Sequence, residues 1–178
     1  MLEQVEPIIL PYESQPAACR EYDPRCAVVA QQVATAIRTH LTQLRVEHVG
    51  SSAVPGCAGK NVIDLLIPVP DGEMENVKLL LQRLGFQPQP GPEPFPEERP
   101  MRVGSVLHEG QRFLLHVHAI PDQLPEVDDM RFFRSCLRAD PELVRLYVAR
   151  KREILAGGTT DSREYARLKG EFIRAVLG

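Results

Sequence analysis

One carboxylate constrains this chain more than any other residue. Asp64 sits inside the run Val62-Ile63-Asp64-Leu65-Leu66-Ile67, whose other members dictate a buried strand. An ionised acid there is costly unless it is paired, hydrogen-bonded or bound to a metal. The fold must therefore bring a partner to the middle of a sheet. Lys60 and Arg45 are the near candidates, and a turn capped by the acid is the alternative.

The residues leading into that strand sharpen the question. Val46 to Val49 reads as a short strand that runs into Gly50-Ser51-Ser52, followed by a loop with Pro55, Gly56, Gly59 and Lys60. A glycine and two hydroxyl residues after a strand offer backbone N–H and side-chain O–H donors to a phosphate, although the same tripeptide also makes an ordinary turn. Lys60 supplies a point charge suited to a phosphate or is a solvated loop lysine.

A second feature lies downstream. Residues 101–107 and 111–119 read as a hairpin around His108-Glu109-Gly110. Side chains alternate along a strand, so Leu114, His116, His118 and Ile120 share one face. His116 and His118 can supply two imidazole ligands to a metal or pair with a buried acid. The same alternation puts His48 with Val46 and Gly50, toward that mouth, and Glu47 on the other side.

The rest of the pattern supports these strands. Residues 5–12 read as an extended arm. Asp23-Pro24 opens a helix with an apolar stripe of Ala27, Ala30, Val33, Ala34, Ile37 and Leu41. Pro68-Val69-Pro70 ends the second strand, and Met74 to Leu84 forms a helix closed by Gly85. Residues 87–100 carry six prolines and read as a long irregular loop. Helices follow from Asp128/Asp129, from Asp140-Pro141 and from the capping-box-like Asp161-x-x-Glu164. The reading is a mixed α/β core over 1–125 and a C-terminal helical part over 126–178 that packs on it as one compact domain.

Composition narrows the function classes. A net charge of −3 and a pI near 6.0 argue against a general nucleic-acid binder, although a local basic patch is compatible with them. No apolar run is long enough to span a bilayer, and Met1 to Glu6 has no apolar signal region, so a cytoplasmic protein is expected. Cys19, Cys26, Cys57 and Cys136 form no Cys-x-x-Cys pair, so zinc spacing is absent and free thiols are expected. Arg131, Arg134 and Arg138 recur at helical spacing; with Arg145, Lys151, Tyr165 and Lys169 they form either a basic wall for an anionic substrate or a solvated helix face.

The residues from Glu47 to Gly56, then Lys60 and Ile63-Asp64, resemble the signature of the GrpB-like proteins. Pro11-Tyr12, His116-Val117-His118, Phe133-Arg134, Leu137-Arg138 and Tyr165 with Lys169 extend the resemblance over the whole chain. It implies the nucleotidyltransferase superfamily: a mixed β-sheet packed by helices, with Gly50, Ser51 and Ser52 holding a triphosphate. Lys60 and Arg134 would neutralise charge, while His48, Arg138 and Lys169 would be secondary contacts. Asp64 would take the first place of the superfamily's Asp-x-Asp/Glu metal motif, and Leu66 stands at the second.

What the resemblance implies for function is a nucleotide or small phosphorylated ligand, a nucleoside triphosphate as substrate, and metal-dependent nucleotidyl or phosphoryl transfer with Asp64 and Lys60 as catalytic residues. The divalent ion would be Mg²⁺ or Mn²⁺ before Zn²⁺, held by Asp64, His116 and His118; these donors are softer than a Mg²⁺ pair requires. Two alternatives remain open: a non-catalytic binding or regulatory module, favoured by Leu66, and a His/Asp metal-dependent phosphoesterase. Nothing in the sequence fixes the oligomeric state.

Overall fold

A computed structural model describes residues 5–178. The acidic opening and the start of the expected 1–125 core reach into residues 1–4, which lie outside the described residues. Among the described residues the elements run α1 (Arg25–His40), β1 (Glu47–Val49), a 3₁₀ turn (Ser51–Ala53), β2 (Ile63–Val69), α2 (Met74–Leu84), β3 (Gln87–Pro88), β4 (Met101–His108), β5 (Gln111–Pro121), α3 (Pro125–Ala139), α4 (Pro141–Ala156) and α5 (Ser162–Leu177). Mixed sheet and helices together make an α/β architecture. No helix among the described residues is long and apolar enough to cross a membrane.

The sheet order is β1-β2-β5-β4-β3. β2 lies parallel to β5 and antiparallel to β1, with Asp64 opposite Val49 on one side and His116 on the other. Partners directly opposite share a face, so this register assigns every side chain near the acid. One face carries Ile63, Leu65, Ile67, Leu115, Val117 and Ala119, fully buried in the core against α1 and α2. The other carries Asp64, Leu66, His116 and His118, and there Leu66, Val49 and Ile120 cluster with Val127 of α3.

Local chemistry explains most of the boundaries. Gly85 closes α2 with φ 104°, the left-handed conformation that glycine adopts without steric cost. Glu109 and Gly110 both have positive φ, as a two-residue hairpin turn between twisted strands requires. Asp140 and Asp161 each accept two backbone N–H bonds at the starts of α4 and α5, the role expected of an N-cap acid.

Four departures from the sequence reading have physical causes. The buried stripe of α1 is Cys26, Val29, Ala30, Val33, Ala34 and Ile37, while Ala27 is exposed: the face through positions 30, 33 and 37 extends back to Cys26, and Ala27 lies about 100° round the helix from it. β2 continues through Pro68 to Val69; β1 pairs only with Asp64–Leu66, so beyond that point β2 is an edge that tolerates a proline. Gln87 and Pro88, inside the expected loop, pair with β4. α3 starts at Pro125, ahead of Asp128, because proline suits the first helical turn.

Candidate functional site

Asp64 finds its partners on β5, not in the preceding loop. His118 Nε2 lies 3.2 Å from Asp64 Oδ1, and His116 Nδ1 lies 3.5 Å from the same oxygen. Burial pushes the Asp64 carboxyl up, but the two imidazoles outweigh it and hold the group well below the usual carboxylate range. A carboxylate so held only accepts hydrogen bonds, so the ring nitrogens that face it are N–H donors. The Tyr12 hydroxyl lies 3.1 Å from His116 Nε2, the nitrogen that accepts a hydrogen bond in the neutral ring whose Nδ1 carries the proton. The result is a chain Tyr12–His116–Asp64–His118.

The turn after β1 is built around that acid. Gly50 has φ 72° and ψ −173°, a backbone region essentially reserved for glycine. A Cβ at this position would come within 2.7 Å of Asp64 Oδ2, so the carboxylate rests directly on the bare Cα. The two serines that follow diverge. Ser51 lines the same cleft as Asp64, whereas Ser52 is buried and bonds to His48 Nε2 at 2.9 Å.

That cleft, about 730 Å³, lies between the exposed face of β2, β5 and β4 and helix α5, with residues 89–95 along its rim. Three lysines line it. Lys60 Nζ donates to Ser162 Oγ at 3.0 Å and to the Gln15 carbonyl at 3.4 Å. Lys151 is buried; its ammonium donates to the Ala58 carbonyl, approaches Cys57 Sγ at 3.6 Å and sits 4.3 Å from the Tyr147 ring centre. Lys169 lies over the Tyr165 ring. A Cβ on Gly59 would come 3.2 Å from Ser51 Oγ and 3.3 Å from Lys151 Nζ, so these two polar groups flank one bare Cα. None of the three lysines makes an ion pair with a carboxylate among the described residues, whereas Arg163 at the rim pairs with Glu93. Burial holds the Lys60 and Lys151 ammonium groups below the ordinary lysine range.

Other expected site residues are placed elsewhere. His48 is opposite Leu65, and Glu47 is opposite Leu66. Antiparallel register thus reverses the sequence expectation: Glu47 shares the Asp64 face, and His48 points away from it. His48 and Arg138 line a different cleft, about 1050 Å³, on the far side of the loop; burial holds His48 down to about 4. Arg138 bonds the Ala53 carbonyl at 2.8 Å through Nη2. Arg134 donates to the His48 carbonyl at 2.8 Å and pairs with Glu47 at 3.3 Å, and Arg131 also binds Glu47. These arginines tie α3 to β1 and the turn instead of facing Ser51.

The expected metal set fits poorly. No three His, Cys, Asp or Glu side chains among the described residues are grouped so as to hold an ion, and both imidazoles are spent on one Asp64 oxygen. Tyr12 and the burial of Lys151 were not legible beforehand. Tyr12 belonged to an arm with no periodic pattern, and Lys151 is one of three helical lysines; only tertiary placement distinguishes them.

Comparison with known proteins agrees with the architecture. The family model described as GrpB protein matches residues 16–178. A UPF0157 protein of Pseudomonas aeruginosa is 36% identical over 153 residues, covering 82% of this chain and 60% of that protein; the match therefore spans less than two thirds of the relative. The crystal structure of the conserved protein GrpB from Enterococcus faecalis superposes with a TM-score of 0.64 at 24% identity, covering 90% of this chain and 100% of that one. The structure of Cid1 in complex with its short product ApU gives a TM-score of 0.53 at 13% identity, covering 76% of this chain and 42% of that one. At such identities the likeness shows a shared nucleotidyltransferase-like fold and nothing finer.

Proposed function

Because this chain belongs to the GrpB family, we propose that it binds a nucleotide or similar phosphorylated small molecule in the cleft between the Asp64 face of the sheet and α5. The observation that carries this reading is the convergence of Lys60, Lys151 and Lys169 on one cleft with no carboxylate paired to any of them among the described residues. Lys151 is buried and Lys60 and Lys169 are half-buried, and cations withdrawn from water in this way call for a counter-charge. Phosphate oxygens supply several, and the Ser51 hydroxyl adds a donor beside Lys151.

A cleft of this kind supports nucleotidyl or phosphoryl transfer, in which fixed positive charge stabilises the transferring group. Leu66 favours a second reading. It is fully buried in place of the second metal carboxylate, which suits a module that binds its ligand without turnover. Calorimetric titration with ATP, GTP, CTP, UTP and pyrophosphate, each with and without Mn²⁺, tests the shared premise. Saturable binding that weakens at least about tenfold in K169A is expected from loss of a charge-assisted contact. Absence of binding by every one of these probes would overturn the reading.

A further inference from the structure

The Tyr12 hydroxyl has a setting that no other hydroxyl in the cleft shares among the described residues. Ser162 bonds the Gln15 carbonyl, and Tyr165 is buried. Tyr12 lines the cleft and bonds His116 Nε2 at 3.1 Å, while Nδ1 of the same ring faces Asp64 at 3.5 Å. Hydroxyl, imidazole and carboxylate in this order form the arrangement that activates an oxygen nucleophile: the base takes the proton, and the acid fixes the tautomer and orientation of the base.

The phenol is also held in place. Leu10 exchanges backbone hydrogen bonds with Ser105 at 2.8 and 2.9 Å, Ser105 Oγ donates to the Pro11 carbonyl at 2.7 Å, and Tyr12 N donates to Gln87 Oε1 at 2.9 Å. The arm is thereby fastened to β4 and β3 immediately before and at the tyrosine. A side chain anchored in this way loses little further freedom on reaching a reacting geometry.

We propose that Tyr12 is a self-modification site, the acceptor of a nucleotidyl group from a nucleoside triphosphate bound in the cleft. This rests on the binding reading above. A lone pair on the Tyr12 oxygen attacks the α-phosphorus and forms a new P–O bond. The phenolic proton passes to His116 Nε2. The bond from the α-phosphorus to the bridging oxygen breaks, its electron pair leaves with pyrophosphate, and a tyrosyl nucleoside monophosphate ester remains. His116 acts as the base, and Asp64 is a positioning residue behind it.

The test uses the full chain incubated with the Mg²⁺ salts of ATP, GTP, CTP and UTP, each labelled at the α- or the γ-phosphate, followed by intact mass measurement and peptide mapping. Expected are a gain of one nucleoside monophosphate on the Tyr12 peptide, retention of α-label alone, and loss of labelling in Y12F. H116A should label between about 10²- and 10⁴-fold more slowly, the usual contribution of a general base, and added imidazole should restore part of the rate, which a purely structural role for His116 would not allow. Y12F lacks only the hydroxyl, and its thermal melting curve reports whether it folds. Calorimetric binding by the wild-type chain without any Tyr12 adduct overturns the proposal and leaves the binding reading standing. Undiminished labelling in Y12F, or γ-label on Tyr12, overturns it as well; loss of binding altogether overturns the reading beneath it.

Discussion

Substituting Gly50 by alanine tests the claim that the turn is built around Asp64. The residue holds φ 72° with ψ −173°, and placing a Cβ in such a conformation costs about 1–3 kcal/mol. The same Cβ would stand 2.7 Å from Asp64 Oδ2 and 3.3 Å from Asp64 Cβ, so the carboxylate must move off its two imidazoles. Hydrogen bonds to a charged group contribute roughly 1.5–3 kcal/mol. With the Asp64 side chain 25% exposed, solvent screening reduces that to about 1 kcal/mol. The sum is about 2–4 kcal/mol, or a fall in Tm of roughly 5–15 °C for a domain of this size. Urea and thermal unfolding of wild type, G50A, D64A and G50A/D64A give a complete cycle. D64A removes the 2.7 Å contact with the carboxylate oxygen and keeps only the 3.3 Å approach to Cβ, so G50A should cost less there, with a coupling of at least about 1 kcal/mol. Additive effects, or a G50A protein within about 0.5 kcal/mol of wild type, would refute the packing of the acid against this glycine.

The two serines of the turn should separate by function: S51A weakens nucleotide binding in calorimetry with little change in Tm, whereas S52A leaves His48 Nε2 unbonded and costs about 1–2 kcal/mol of unfolding free energy. His48 is held down to about 4 from 6.5, so the unfolded chain binds the extra proton first. Its contribution is present above about pH 6.5 and is lost as the pH falls toward 4, amounting to about 3 kcal/mol; urea titrations across that window should show a shallower acid limb in H48Q. K151M removes a buried ammonium but leaves the Ala58 carbonyl unbonded, opposing effects that should keep stability within about 2 kcal/mol of wild type while weakening nucleotide binding at least about tenfold.

The sequence made most of the fold legible because the informative signals are local. Asp140 and Asp161 cap helices, Gly85 ends one and Glu109-Gly110 turns a hairpin, each through its own backbone chemistry. The meeting of Asp64 with His116 and His118 was also within reach, since period-two alternation fixes which side chains of β5 share a face. What local signals do not carry is register. Whether Glu47 or His48 joins Asp64 depends on a one-residue choice in the pairing of β1 with β2, and that choice inverts every side chain of the strand. The arginines of α3 were misread for a related reason. Their spacing fixes a helix face, and only the position of α3 over β1 shows that this face is occupied by Glu47 and two carbonyls.

That same packing bears on how the charge of the site is distributed. Two carboxylates at alternate positions of one strand share a face and can hold ions together; here those positions are Asp64 and Leu66. Leu66 is instead enclosed by Val49, Ile120 and Val127, so an acid at this position would have to shed its water beneath α3. The nearest acid on that face is Glu47, directly opposite Leu66, and Arg131 with Arg134 neutralises it. Burial pushes the Glu47 carboxyl up, but these two guanidinium groups hold it below the usual range. On the α3 side the sheet face is therefore closed by apolar packing and a satisfied ion pair. On the α5 side, Asp64 is partnered by His116 and His118, and three lysines have no acidic partner among the described residues. These lysines line the same cleft as Ser51 and Tyr12, so the proposed anionic ligand would meet its counter-charge there, on the side of the sheet face that α3 leaves open.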